Sequence, residues 1–415
     1  MQCQVIGCDA SGAAGLPAIT QALLRQAQLV AAPKRLLPPL QAWFGGSAPR
    51  LVASDQPDAL MAELEGAMGR GEATAVLASG DPLWFGIGRL LAERFGAERL
   101  RFHPAPSAMQ LAFARIGRPW QDADWVSLHG RDPGALATAL QKRPAALAVL
   151  TDPDRGGAEA VRRSLQASGL EAAYGVWLCE RLGHPAERVL RLSPGAAVPE
   201  DLDPLHLVLL IAEPLAPVAD PAVLPLFGLS DGLWLQRPDR PGLMTKREVR
   251  IQLLADLELP ATGVLWDVGA GVGSVGLEAL RLRPRLQLWA LEQRSGSGTL
   301  IRANAERLGV RPAAVIEGRA PGALAAFPDP DRVLIGGGGR GRATVLQAVL
   351  ERLRPGGIVV IPLATLEALA ELRPQLEAAG LQVAVAQHQS WRGSALVDGT
   401  RLAPLNPVLV LQGRR

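Results

Sequence analysis

The sequence predicts an α/β protein in two parts, the second of them a doubly wound parallel sheet. Three observations carry this. Short apolar runs alternate with amphipathic stretches, a proline-rich break interrupts the alternation at 213–225, and a glycine-rich turn joins an apolar run to a helical pattern at 265–280. The chain has 415 residues, enough for two or three domains at about 150 residues each. At 48% apolar and 20% charged it can bury more than one core. No run approaches the ~18 continuous apolar residues of a membrane span. Met1 to Gly7 lacks a basic start and a small-residue cleavage site and reads as a strand, so a cytoplasmic protein without a signal peptide is expected. Cys3, Cys8 and Cys179 have no disulfide or zinc spacing, and cysteine is not expected to carry chemistry.

In order along the chain, strands are predicted at Gln4–Gly7, Ala75–Ala78, Leu147–Thr151 and Leu207–Ala212, with amphipathic helices at Ala18–Gln28 and Ala158–Ser168. The segment 213–225, EPLAPVADPAVLP, has four prolines and no apolar period. Proline blocks both helix and ladder hydrogen bonding, so this reads as a linker between domains 1–212 and 226–415. Beyond it come strands at Val264–Val268, Gln287–Glu292, Ala314–Glu317, Arg332–Ile335 and Ile358–Ile361. Helices separate them at Val275–Arg283, Gly298–Leu308 and Ala343–Leu353, as in a parallel sheet wound on both faces.

LWDVGAGVGSVGLEAL at 265–280 is the sharpest chemical signal. A strand ends in Asp267, and Gly269, Gly271 and Gly273, with Ala270 and Val272 between them, allow a tight turn that a ligand can approach before a helix begins, so Asp267 to Gly273 are candidate cofactor contacts. A dinucleotide fingerprint would place its third glycine at 274, which is Ser. The G-x-G-x-G spacing points instead to S-adenosylmethionine. Glu292 ends the next strand, where a carboxylate can accept both hydroxyl protons of a ribose. Gly318, Arg319 and Ala320 follow the third strand, where the adenine would lie. Just upstream, Thr245 is a candidate cofactor contact, and the capping-box spacing of Thr245 and Glu248 is the competing structural reading. Lys246, Arg247 and Arg250 put three cations near the cofactor edge, suited to substrate carboxylates. Gly336 to Gly339 follow the fourth strand and leave room for a large flat ligand, with Gly337 and Gly338 as substrate contacts.

Charge is uneven. Residues 1–225 hold 20 Lys/Arg and 23 Asp/Glu, net −3, and residues 226–415 hold 23 and 17, net +6. Arginine is abundant overall, at 40 Arg to 3 Lys, and the basic half lacks the clustered cations and interleaved aromatics of a nucleic-acid surface. A small polyanionic substrate fits better, and neither nucleic acid nor membrane is an expected partner.

The first half carries VIGCDASGAAGLPAITQALL (5–24), ASGDPLWFG (78–86), PAPSAMQLAFARIG (104–117), SLHGR (127–131) and LTDPDRGGAEAV (151–161). Together these resemble the tetrapyrrole methylase family, more narrowly its cobalamin-pathway subfamily acting on precorrin-6B. The second half resembles that subfamily's separate decarboxylating partner, through TKREVR (245–250), LWDVGAGVGS (265–274), NAERLGV (304–310) and IGGGG (335–339). The resemblance implies a tetrapyrrole methylase fold of two α/β subdomains followed by a Rossmann-like class I methyltransferase domain. It further implies a precorrin substrate, two S-adenosylmethionine sites per chain, methylation at C5 and C15, and loss of carbon dioxide from the C12 acetate to give precorrin-8X. Formation of a homo-oligomer is expected from both relatives. Gly80 and Asp81 are the expected cofactor residues of the first half, with Ser107 and Ala108 on the loop after the next strand. His129 is a candidate acid or base, with a structural histidine the competing reading, and Asp152 and Asp154 are candidates for shaping the substrate cleft. The sequence departs from the family pattern at Asp9, usually glycine, and at Pro362, commonly asparagine. Two alternatives are a regulatory S-adenosylmethionine sensor and an RNA methyltransferase. The latter would call for an Asn/Asp-Pro-Pro-aromatic motif or a cysteine nucleophile where the fourth strand ends in IGGGG.

Overall fold

The computed structural model describes residues 2–129, 134–193, 196–237, 239–336, 339, 341–396 and 399–415. It divides into two compact units. The first comprises Met1–Asp132, Ala145–Val161 and Gly175–Ile211, and the second Pro133–Pro144, Arg162–Tyr174 and Ala212–Arg415.

The first unit holds two sheets. Strands β1 (Cys3–Cys8), β2 (Leu29–Ala32), β3 (Arg50–Ala53), β4 (Thr74–Ser79) and β5 (Leu100–His103) pair in the order β3-β2-β4-β1-β5, all parallel. Strand β1 is apolar nearly throughout because both its faces are covered. Ile6 packs with Leu24, Val30 and Leu77 on one side, and Val5 with Leu29, Leu64 and Leu91 on the other. Strands β6 (Ala123–Ser127), β7 (Ala146–Leu150), β8 (Tyr174–Glu180), β9 (Arg188–Leu192) and β10 (His206–Ala212) form the second sheet, in the order β6-β7-β10-β8-β9.

In the second unit β11 (Gly263–Val268), β12 (Leu286–Glu292), β13 (Ala314–Glu317), β14 (Arg332–Ile335) and β15 (Ile358–Leu363) are parallel. The sheet is completed by β16 (Gln382–His388) and β19 (Val408–Arg414), with a hairpin of β17 (Trp391–Leu396) and β18 (Gly399–Pro404) between them in sequence. The order is β13-β12-β11-β14-β15-β19-β16, and β19 runs antiparallel to both its neighbours. The five predicted strands are parallel, and the edge adds β16 and β19, which are joined without a crossover helix and pair antiparallel. Alternation along β11 sends Leu265 into one core with Leu288 and Val360, and Trp266 into the other with Val333 and Val359. The Trp266 indole N–H donates to Pro328 O at 2.9 Å, which satisfies the polar edge of a fully buried ring.

The residues read as a linker lie on the second unit. Their carbonyls have few N–H partners of their own, and two helix arginines supply donors. Arg281 donates to Pro221 O at 3.2 Å and Pro225 O at 3.0 Å, and Arg307 donates to Ala216 O at 2.8 Å.

Candidate active site

The strand order reverses between β11 and β14, so the loops leaving their carboxyl ends diverge and open a crevice there. The loop after β11 is held from below, where the N–H groups of Gly269 and Ala270 donate to Leu291 O at 2.7 and 3.0 Å. Gly269, Gly271 and Gly273 have φ of +80°, +61° and +82°, a region where a side chain is strained. A Cβ on Gly271 would meet nothing within 4 Å, so this face of the turn is open to a ligand. A Cβ on Gly336 would stand 2.8 Å from Gly269 O, so the two loops touch where glycine is needed on both. That gives the first glycine of the 336–339 run a packing reason. Gly337 and Gly338 lie outside the described residues.

A cavity of about 790 Å³ opens over this turn. Gly269, Ala270, Gly271, Val272, Glu292, Gly318, Arg319 and Ala320 line it, as do Thr245, Lys246 and Gly336. Glu292 is nearly fully buried; one carboxylate oxygen accepts the Gly271 N–H at 2.9 Å, and the other accepts the Arg294 N–H at 3.1 Å and its guanidinium at 3.2 Å. These residues suit S-adenosylmethionine: open backbone for a close approach, a buried carboxylate at the end of β12, and a wall that includes Gly318 and Ala320. Pro362 also lines the cavity, where the family commonly has asparagine.

Three sequence expectations are corrected here. Asp267 is not on the cavity wall. Its carboxylate lies behind the turn and accepts the Gly276 N–H at 3.1 Å, and burial, aided by the Glu292 charge, pushes its pKa up to about 7. For Thr245 it is the competing capping-box reading that fails, since the helix begins at Arg247 with Lys246 as an N-cap that makes no side-chain cap, and Thr245 itself lines the cavity. The third correction concerns the three cations. Arg250 is completely buried, bonded to Asp231 at 2.9 Å, Glu278 at 3.0 Å and Thr245 O at 2.7 Å. Arg247 donates to Gly228 O at 2.6 Å and is not on the wall either. Lys246 alone of the three lines the cavity, joined by Arg294, Arg319 and Arg342. Arg342 and Asn406 carried no sequence signal, since each stands in a loop or helix start without a motif.

In the first unit the loops after β1, β4 and β5 converge. A Cβ on Gly7 would overlap Gly80 O and lie 2.8 Å from Ala105 N, and one on Gly80 (φ +65°) would lie 3.1 Å from the Cα of Ser107. Gly80, Ser107 and Ala108 are therefore neighbours. The side chains of Asp81 and Ser107 serve their own loops. Asp81 accepts the Leu83 N–H at 2.9 Å, and Ser107 caps the helix Ala108–Arg115 in a capping box with Gln110. Asp9 likewise holds its own turn, accepting the Ser11 N–H at 2.9 Å, and a Cβ on Gly183 would collide with it. His129 is exposed, Asp152 is buried with its carboxylate 3.7 Å from Arg155, and Asp154 is exposed. A second cavity of about 550 Å³, lined by Ser11, Gly15, Arg115, Gly183 and Glu187 among others, was not foreseen, because its walls come from segments far apart in sequence. Burial pushes the thiols of Cys8 and Cys179 up to about 12, which makes both poor nucleophiles. Among the described residues no cluster of His, Cys, Asp and Glu could hold a metal ion, and no helix is long and apolar enough to cross a membrane.

A doubly wound sheet with a glycine turn at its switch point and a buried carboxylate one strand away is the arrangement of a class I methyltransferase. Residues 239–413 match the precorrin methyltransferase domain family, and residues 6–196 match the tetrapyrrole (corrin/porphyrin) methylases. A precorrin-6Y C(5,15)-methyltransferase [decarboxylating] from a Sinorhizobium species is 34% identical over 86% of this chain and 83% of its own length. Its namesake from Mycobacterium tuberculosis is 30% identical over 97% of both chains. A shorter protein from Pyrobaculum calidifontis, named probable cobalt-precorrin-6B C(15)-methyltransferase (decarboxylating), is 37% identical over 44% of this chain and 94% of its own. The chain belongs to the family of decarboxylating precorrin-6Y C(5,15)-methyltransferases.

Proposed function

We propose that each unit binds one S-adenosylmethionine, that the first unit methylates C5 of a precorrin, and that the second methylates C15 and removes carbon dioxide from an acetate arm. The chain is a methyltransferase of cobalamin biosynthesis, and family membership displaces the sensor and RNA-enzyme readings. The observation that supports the division of labour is that two different families match the two halves of the chain, with a glycine-lined cavity at the strand ends of the second unit and converging strand-end loops in the first. The half-length relative supports it, since its name couples C15 methylation to decarboxylation in a protein of about the size of the second unit.

S-adenosylmethionine supplies an electrophilic methyl group. In the second unit the residues that would hold it are Gly269 to Val272, Glu292, Gly318 and Ala320. Their part is to bind and orient it and to exclude water, so that acceleration comes from positioning; no protein nucleophile is needed. In the first unit Gly80 and Ala108 would meet the cofactor through backbone, with Ser107 contributing its main chain. Lys246, Arg294, Arg319 and Arg342 give the second cavity a cationic wall suited to the carboxylates of a tetrapyrrole. Whether the natural ring carries cobalt is decided by assay with both forms.

Calorimetric titration of the full chain with S-adenosylmethionine tests the reading. Two molecules per chain are expected, falling to one when Gly271→Val blocks the second site, and one molecule for the unaltered chain overturns it. Mass spectrometry of the product should record two added methyl groups and one lost carbon dioxide.

A further inference from the structure

We propose that Lys246 is the proton donor for the decarboxylation, delivering a proton from Nζ to the methylene carbon that remains when the acetate arm loses carbon dioxide. This rests on the reading that the second unit carries that step. The chemistry requires such a donor. The bond between methylene and carboxylate carbon breaks, carbon dioxide leaves, and the electron pair passes into the conjugated ring, forming an exocyclic carbon–carbon double bond. The pair then returns to form a C–H bond at the former methylene carbon, and the arm ends as a methyl group. Carboxylate plus one proton gives methyl plus carbon dioxide, without any oxidant or reductant.

Elimination along the cavity wall leads to Lys246. The ionisable side chains lining the cavity, among the described residues, are Lys246, Glu292, Arg294, Arg319 and Arg342. A guanidinium does not release its proton in a protein. Glu292 is engaged as an acceptor by the Gly271 N–H and by two donors of Arg294. Lys246 remains, and its bonding leaves it free to give up a proton. Nζ donates to Gly242 O at 3.0 Å and Gln141 O at 3.5 Å. Both partners are neutral, and an ammonium has three N–H groups, so one stays unassigned. No ion pair among the described residues engages it.

The position is fixed by a buried charge cluster. Arg250 donates to Thr245 O at 2.7 Å, and Asp231 accepts the Arg247 N–H at 3.0 Å, so the backbone on both sides of Lys246 is held. The charges acting on Lys246 are Asp231, Arg392, Arg143 and Arg250. The carboxylate of Asp231 is already bonded to Arg250 and Arg392, so it restrains the Lys246 proton little. Burial, with the three arginines, holds Lys246 below the ordinary lysine range, which brings a donor toward neutral operating pH.

The test uses the full chain with precorrin substrate and S-adenosylmethionine, following carbon dioxide loss and methyl gain separately. Lys246→Arg keeps the charge but not a releasable proton, and decarboxylation should fall about 100-fold or more. Lys246→Cys should fall equally and recover when the new thiol is aminoethylated, restoring a primary ammonium; the three native thiols are buried and should escape the reagent. Calorimetry with S-adenosylmethionine confirms that each variant retains its folded second site. Decarboxylation by Lys246→Arg at the unaltered rate would overturn the proposal, as would failure of aminoethylation to restore it in a variant that still binds the cofactor. If the unaltered chain itself releases no carbon dioxide, the functional reading fails instead.

Discussion

Asp267→Asn should make the second unit more stable at pH 8 than the unaltered chain. The Asp267 carboxyl is buried behind the glycine turn, where it accepts the Gly276 N–H and has Glu292 nearby. Folding raises its pKa from 3.8 to about 7. Between these values the folded state holds a proton that the unfolded state has released. The stabilisation this represents is fully present below about pH 4 and is lost as pH rises through 7. The whole span, at 1.36 kcal/mol per pH unit, is about 4 kcal/mol, of which about 3 kcal/mol falls between pH 5 and pH 8. Asparagine is neutral throughout and keeps an oxygen for the Gly276 N–H. Urea titrations at pH 5 and pH 8, read through exchange protection of the β11 amides, isolate the second unit. Groups titrating elsewhere cancel in the difference between variant and unaltered chain. A difference that does not grow with pH would refute the argument that burial governs this carboxyl.

Glu292→Gln removes a charged acceptor and should weaken S-adenosylmethionine binding at the second site about ten- to hundredfold, from roughly 1.5–3 kcal/mol per charge-assisted hydrogen bond; an unchanged Kd in calorimetry would count against the ribose role. Gly7→Ala forces a methyl into Gly80 O and toward Ala105 N, so it should cost about 1–3 kcal/mol of first-unit stability and abolish C5 methylation while carbon dioxide loss persists, as product mass spectra would record. Arg250→Met strands Glu278 without its cation and leaves Asp231 with Arg392, and should cost about 3–5 kcal/mol in urea titration, with much of the loss recovered when Glu278 is also replaced by glutamine.

The parts legible in sequence were those with local causes. Helices predicted at Val275–Arg283, Gly298–Leu308 and Ala343–Leu353 begin and end within one residue of those observed, because their apolar period and flanking glycines lie in the same few residues. The sequence assigns no range to β2, β3, β5, β6, β8 or β9: β2 and β5 are too short to show a period, β3 and β6 are partly exposed, and the antiparallel pair β8–β9 is flanked by no strong turn motif. The closing strands β16 and β19 escaped for a similar reason, β16 being largely exposed with little alternation to read. The linker was recognised as irregular, but its attachment depends on Arg281 and Arg307, more than fifty residues away.

The α/β class, the glycine turn at 269–273 and the carboxylate at 292 are all readable from the amino-acid order, since backbone freedom and strand ends are properties of neighbouring residues. Which charges face the cavity depends instead on long-range packing. Lys246 and Arg250 are one helical turn apart and look alike in sequence, yet Arg250 is neutralised by Asp231 and Glu278, which arrive from other segments, while Lys246 meets only neutral carbonyls. The same distinction sets Asp267 apart from Glu292: both lie at the carboxyl end of a strand, but one is buried behind the turn and the other lines the crevice, because the crevice opens where the strand order reverses.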